Sequence, residues 1–251
     1  MPILETGDHL LFYLEAGEGP LMVLLPGNTA TSACMQGELD YFSDRYHTVA
    51  LDFWGTGQSD RLAVWPDDWF RQAAHDTAAL IRHLGGQAIV MGTSGGADVA
   101  LWLAVLNPDL VRAVVADSTV EIYPPDELRA EVHGREARTP GQVGFWRFAH
   151  GDDWEQPVDA DSRLLLRLAD LDGRLAPEAL ETIGCPVLFT ATLDDDSLPD
   201  VAVQVPSMAQ RVPDARVYLT HGGAHPLMWS RPDEFRAVCE LFLHNLEPSD
   251  P

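Results

Sequence analysis

The chain has 251 residues, 39 of them acidic and 16 basic, giving a formal net charge of -23 at pH 7. Every basic residue is arginine, so chemistry that needs an ε-amine, such as a Schiff base or a phosphate-binding lysine, is excluded. The same acidity argues against nucleic acid or an anionic membrane as partner, while 46% hydrophobic and 22% charged residues describe a globular chain able to bury a core.

The first residues lack a basic segment followed by a long apolar run, so no signal peptide is expected. The longest apolar stretches are strand-sized, far below a membrane span. Cys34, Cys185 and Cys239 are odd in number and form no CxxC pair, which points to reduced, structural thiols and a cytoplasmic protein.

In chain order, residues 10–15, Leu21–Leu25, 48–51, 88–91 and 113–116 read as strands. Helical patterns fall at 67–84, with Gly85-Gly86 as its stop, and at Gly95–Leu106. This alternation predicts an α/β fold with a mostly parallel central sheet covered by helices on both faces. From 120 to 184 the texture changes. Pro124-Pro125, Pro140, Gly151 and Pro157 divide the segment into short helices carrying Phe145, Trp146, Phe148 and Trp154. Alternation then returns, with strands at 186–191 and Ala215–Thr220 and helices at 201–212 and 232–246.

Chemistry concentrates at Gly92-Thr93-Ser94-Gly95-Gly96, a G-x-S-x-G between a predicted strand and a predicted helix. Such a sharp turn strains its central residue, and the flanking glycines remove Cβ atoms that would clash. The Ser94 hydroxyl is thereby presented at the end of the sheet, beside a helix N-terminus that favours developing negative charge. A serine nucleophile needs a base, and His225, in the loop after the 215–220 strand, is placed to supply it; His221 sits too close to the strand end. The base needs a carboxylate to fix its tautomer. Asp194, Asp195 and Asp196 follow the strand at 186–191, and at least one of them is expected to be a solvated turn residue.

The chain resembles the α/β-hydrolase family from about residue 10 to 246. Besides the serine turn, Leu24-Leu25-Pro26-Gly27-Asn28 is similar to the family's oxyanion loop, with Pro26 where histidine is usual. Asp52-Phe53-Trp54-Gly55-Thr56-Gly57-Gln58-Ser59 resembles its Asp-x-x-Gly-x-Gly-x-Ser turn, and His225 with Pro232-Asp233-Glu234-Phe235 its closing loop and helix. The resemblance implies Ser94 as nucleophile, His225 as base and Asp195 as acid, with Asp194 an open alternative and Asp117 a more distant one. The backbone N–H groups of Asn28 and Gly95 would form the oxyanion hole.

It also implies a core of 1–119 and 185–251 with a helical cap at 120–184, whose aromatic residues could line an apolar pocket. The expected function is hydrolysis of an ester, thioester or lactone of a small apolar molecule, without metal or cofactor. C–C bond hydrolysis, lyase-like chemistry and non-catalytic ligand binding remain alternatives, since fold does not fix reaction. Serine in place of an aspartate nucleophile argues against haloalkane dehalogenase and epoxide hydrolase chemistry. Hydroxynitrile lyases of this fold also use a lysine, which this chain lacks.

Overall fold

A computed structural model describes residues 2–246. Eight strands form one sheet in the order β1-β2-β4-β3-β5-β6-β7-β8: β1 (Ile3–Glu5), β2 (Leu10–Ala16), β3 (Leu21–Leu25), β4 (His47–Leu51), β5 (Ala88–Thr93), β6 (Val111–Asp117), β7 (Val187–Thr192) and β8 (Ala215–Thr220). The pairs β1–β2 and β2–β4 are antiparallel; β4–β3–β5–β6–β7–β8 run parallel. The parallel sheet is as expected, whereas β1 lacked a sequence signal because three residues cannot establish a period.

The unbroken apolar runs of the central strands follow from burial on both faces. In β3, Leu21, Val23 and Leu25 point into one core while Met22 and Leu24 point into the other. The first core is closed by α2 (Trp69–Leu84), α3 (Gly95–Leu106) and α7 (Val201–Arg211). The second is closed by α1 (Gln36–Phe42), through Leu39 and Phe42, and by α9 (Pro232–His244), through Phe235, Cys239 and Phe242. A short α8 (Leu227–Ser230) precedes α9. Gly85 ends α2 in the left-handed conformation, φ 87°, with its N–H on the Ile81 carbonyl.

Between β6 and β7 lie α4 (Pro125–Arg135), α5 (Pro140–His150) and α6 (Glu155–Leu171). Two points differ from the sequence expectation. Helix α6 is long, 17 residues, because Pro157 falls in its first turn, where proline is tolerated. The segment also contains an isolated bridge between Ile122 and Arg174. Among the described residues no helix is long and apolar enough to cross a membrane.

The parallel strands all end on one side of the sheet, so the loops after β3, β5, β7 and β8 converge there. Backbone packs on backbone beneath them. A Cβ on Gly92 would lie 2.1 Å from the Gly96 carbonyl oxygen, and one on Gly96 would lie 2.2 Å from that of Leu25. Gly92→Ala is therefore expected to destabilise the fold by about 3 kcal/mol in chemical denaturation. Gly134→Ala, on an open face of α4 with no atom within 4 Å of the new Cβ, should instead stabilise it by roughly 0.5–1 kcal/mol.

Candidate active site

Ser94 stands between β5 and α3 with φ 52° and ψ −130°, a conformation that residues with a Cβ avoid. Its N–H donates to the Asp117 carbonyl at 2.8 Å, and its own carbonyl accepts from Ala97 N–H at 2.8 Å. The turn is thus fixed from both neighbouring elements, and the side chain projects to the strand-end side.

His225 reaches the same point on the loop after β8. Its Nε2 lies 3.0 Å from Ser94 Oγ and its Nδ1 2.9 Å from Asp195 Oδ2. The Asp195 carboxylate is fully buried, and its other oxygen accepts the N–H groups of Ser197 and Leu198 at 2.9 and 2.8 Å. With both oxygens held, its orientation is fixed. An ionised carboxylate only accepts, so the proton resides on Nδ1 and the Nε2 lone pair faces the serine hydroxyl.

The neighbouring carboxylates act on the same loop. Asp194 Oδ2 accepts the Gly222 N–H at 2.6 Å, and Asp196 Oδ1 accepts the His225 N–H at 2.9 Å. The Gly222 N–H, with His221 beside it, holds the Asp194 carboxyl below the usual range. As expected of an acidic turn, Asp194 and Asp196 are exposed to solvent, yet all three aspartates fasten the histidine loop. His221 is 79% exposed and points away from Ser94 to pair with Asp194.

Asp117 is not on His225. It is buried beneath the serine turn, taking the hydroxyls of Thr93 and Thr190 at 2.8 Å each and the Met228 N–H at 3.1 Å. Burial pushes its carboxyl up to about 6, and these three hydrogen bonds pull in the opposite direction.

Gly95 and Asn28 flank Ser94. A Cβ on Gly95 would lie 2.0 Å from Asn28 Oδ1, so this side chain rests where only glycine leaves room. Gly27 is also tightly placed: its Cβ would meet that of Ser94 at 2.9 Å. These contacts put the start of α3 and the loop after β3 on two sides of the serine.

A cavity of about 250 Å³ opens over Ser94 and His225, walled by both the core and the helical segment. Its apolar side includes Leu128, Leu165 and Leu175; its polar side includes Asp98, Glu131 and Arg135. Asp98 is 1% exposed, is bonded to Thr119 Oγ1 at 2.8 Å, and has its carboxyl pushed well up by burial. Of the four aromatic residues that could line an apolar pocket, Trp146 does so. Trp154 stacks on Trp146, Phe145 tilts against Trp229, and Phe148 is 63% exposed. Trp146 is adjacent in sequence to Phe145 and two residues from Phe148, so it does not share their face of α5, and Trp154 lies outside that helix, at the start of α6. Among the described residues, no group of three or more His, Cys, Asp or Glu could hold a metal ion.

The family model of the alpha/beta hydrolase fold matches residues 20–168. The chain belongs to this family. It is 41% identical over 135 residues to 2-(acetamidomethylene)succinate hydrolase of Mesorhizobium japonicum, covering 51% of the chain and 47% of that relative; the chain thus spans about half the length of that protein. It is 23% identical over 260 residues, 95% of each chain, to (E)-2-((N-methylformamido)methylene)succinate hydrolase of Acinetobacter baylyi. The crystal structure of an E-2-(acetamidomethylene)succinate hydrolase superposes with TM-score 0.74 at 25% identity, covering 97% of this chain and 98% of that one.

Within this alpha/beta hydrolase, sequence reasoning missed the residues by which the helical segment grips the loops around Ser94. Asp161 of α6 accepts Asn28 Nδ2, and His150 of α5 bridges the backbones of Gly57 and Thr29. None lies in a motif, and a lone histidine at a helix end carries no signal of its partner. The Gly57 N–H donates to His150 Nδ1 at 3.1 Å, and Nε2 meets the Thr29 carbonyl at 3.0 Å, so the ring is neutral. Burial lowers its pKa from 6.5 to about 4.

Between those values the unfolded chain binds a proton that the folded chain refuses, so stability falls as pH drops through that window. His150 should account for a loss on the order of 3 kcal/mol between pH 6.5 and 4. Urea unfolding across that range should show a shallower decline in His150→Gln than in the parent; parallel curves would refute the assignment.

Proposed function

We propose that this chain is a serine hydrolase that cleaves a small ester, thioester or lactone, with 1–119 and 185–251 as catalytic core and 120–184 as cap. The observation that carries the reading is the chain of contacts Ser94 Oγ–His225 Nε2–Asp195 Oδ2, at 3.0 and 2.9 Å, facing the cavity.

In this reading His225 Nε2 takes the hydroxyl proton as Ser94 Oγ bonds to the substrate carbonyl carbon. The carbonyl oxygen becomes an alkoxide facing the N–H groups of Asn28 and Gly95. As the tetrahedral species collapses, the His225 proton passes to the leaving oxygen or sulfur and an acyl-Ser94 remains. Water then gives a proton to His225 while attacking the acyl carbon, and the acid leaves as Ser94 recovers its proton. Asp195 keeps the imidazole in the required tautomer and offsets its charge when protonated.

A small neutral substrate suits the wall better than a doubly anionic one. Arg135 is the only arginine among the described residues of the cavity's walls, and its Nη1 is already on the buried Asp161, while Glu131 stands in the same wall. The succinate-type substrates named for the two relatives are the second reading, favoured by the 41% identity over half the chain. A panel of p-nitrophenyl esters, lactones, amidomethylene succinates and vinylogous diketones separates these, the highest kcat/KM naming the class.

With p-nitrophenyl acetate, Ser94→Ala should lower kcat by about 10⁴-fold or more with the fold intact. Asp195→Asn is expected to lose about 10³–10⁴-fold, and Asp194→Asn less than about tenfold. Retained turnover in Ser94→Ala would sink the proposal, and the reverse ranking of the two aspartates would move the acid to Asp194.

A further inference from the structure

The loop after β3 contributes the Asn28 N–H, yet little within the loop holds that group in place. Its one internal backbone bond joins Ala30 N–H to the Gly27 carbonyl at 3.1 Å, and Thr29 sits at φ 59°. The fastening comes from outside. Asn28 Oδ1 lies over Gly95, in the space that a Cβ there would need, and Asn28 Nδ2 donates to Asp161 Oδ1 at 2.5 Å. Asp161 is fully buried in α6, and its second oxygen accepts Arg135 Nη1 of α4 at 2.5 Å. One residue further, the Thr29 carbonyl is held by His150 of α5.

The Arg135–Asp161 pair alone would suffice to join α4 to α6. A buried carboxylate oxygen without a donor is costly, however, and the oxygen that Arg135 leaves free takes the Asn28 amide. Asn28 is thereby stretched between two fixed points: Gly95, whose N–H is the other proposed oxyanion donor, and Asp161 of the helical segment.

We propose that Asp161 is a positioning residue: through the Asn28 side chain it keeps the Asn28 N–H in register with the Gly95 N–H, so that the helical segment sets the strength of the oxyanion hole. The inference rests on the serine-hydrolase reading above. Donors aimed at the developing alkoxide act on the transition state more than on the bound ester, so a slackened loop lowers kcat while leaving KM in place. Arg135 has a supporting part, since its contact fixes the orientation of the Asp161 carboxylate inside the protein.

The test is a double-mutant cycle on p-nitrophenyl acetate with Asn28→Ala, which keeps the backbone N–H, and Asp161→Ala. Each single variant is expected to lose about 10- to 100-fold in kcat, with KM within about threefold. Because both remove one link, the double variant should be no worse than the weaker single by more than about threefold. Affinity for a butylboronic acid, whose adduct with Ser94 places an oxygen in the hole, should fall in proportion to kcat. Multiplicative losses in the double variant, or a full kcat in Asn28→Ala, overturn the proposal. Should Asp161→Ala fail to fold by circular dichroism, Asn28→Ala with the boronate measurement decides it alone. Ser94→Ala run in parallel separates the two readings. If it still turns over, the serine-hydrolase reading has failed; if it is inert while Asn28→Ala and Asp161→Ala match the parent, only the positioning role has.

Discussion

One buried carboxylate joins the three chain segments that meet at Ser94. Asp117 ends β6 and receives the Thr93 hydroxyl from the residue before Ser94, the Thr190 hydroxyl from the strand that leads to Asp195, and the Met228 N–H from just beyond His225. Its carbonyl takes the Ser94 N–H, and the next residue, Ser118, accepts the Leu227 N–H on its hydroxyl. Burial alone would favour the neutral acid; three donors aimed at the two oxygens favour the ionised one. A protonated carboxyl would present a donor where the neighbours already donate. The relative placement of the loops after β5, β7 and β8 therefore rests on the donors this buried carboxyl collects.

That hub works only because the sheet brings those loops to one side. Parallel pairing from β4 to β8 sends every strand end the same way, and burial on both faces prevents the strands from slipping in register, since a one-residue slip would exchange the two cores. The strain at Ser94 is carried by the same packing. With Gly92, Gly96 and Leu25 in backbone contact, the turn has no room to relax toward a commoner conformation. Fold and site are thus one constraint seen at two scales.

How far the sequence revealed this depends on how local each signal was. The strands, the serine turn, the histidine loop and the acidic run are short patterns with turn chemistry at their edges, and Leu21–Leu25, Gly95–Leu106 and Ala215–Thr220 are found with the limits the pattern implies. Helix α1 escaped notice because seven residues give fewer than two turns of periodicity. The functions of Asp161, Arg135 and His150 escaped for a different reason. Each contacts a partner 26 to 133 residues distant, and nothing in the local pattern of a charged helix names such a partner. The aromatic cluster misled in the opposite way, since composition suggested a lining that helix geometry then divided among three environments.

The absence of lysine, which first excluded amine chemistry, also describes how the helical segment is attached. Arg61 places its Nε and Nη2 on the Asp153 carboxylate, and the same guanidinium reaches the carbonyls of Gly57 and His150. Arg167 joins Asp67 and the Trp65 carbonyl, while Arg174 and Arg211 both converge on Glu121. A planar fork with five donors can satisfy a carboxylate and one or two carbonyls at once, whereas an ammonium is a point charge on a flexible stem. Several of these carboxylates are well exposed, so the ion pairs alone contribute little. What the forks add is direction: they bond the backbone of the loops around the site to the helices above it. The chain has 39 acidic residues and 16 basic ones, and some of the arginines, such as Arg71, Arg112 and Arg147, face solvent. Others are concentrated where the helices meet the core, and there the surplus of carboxylates gives Arg61, Arg167, Arg174 and Arg211 each an acidic partner.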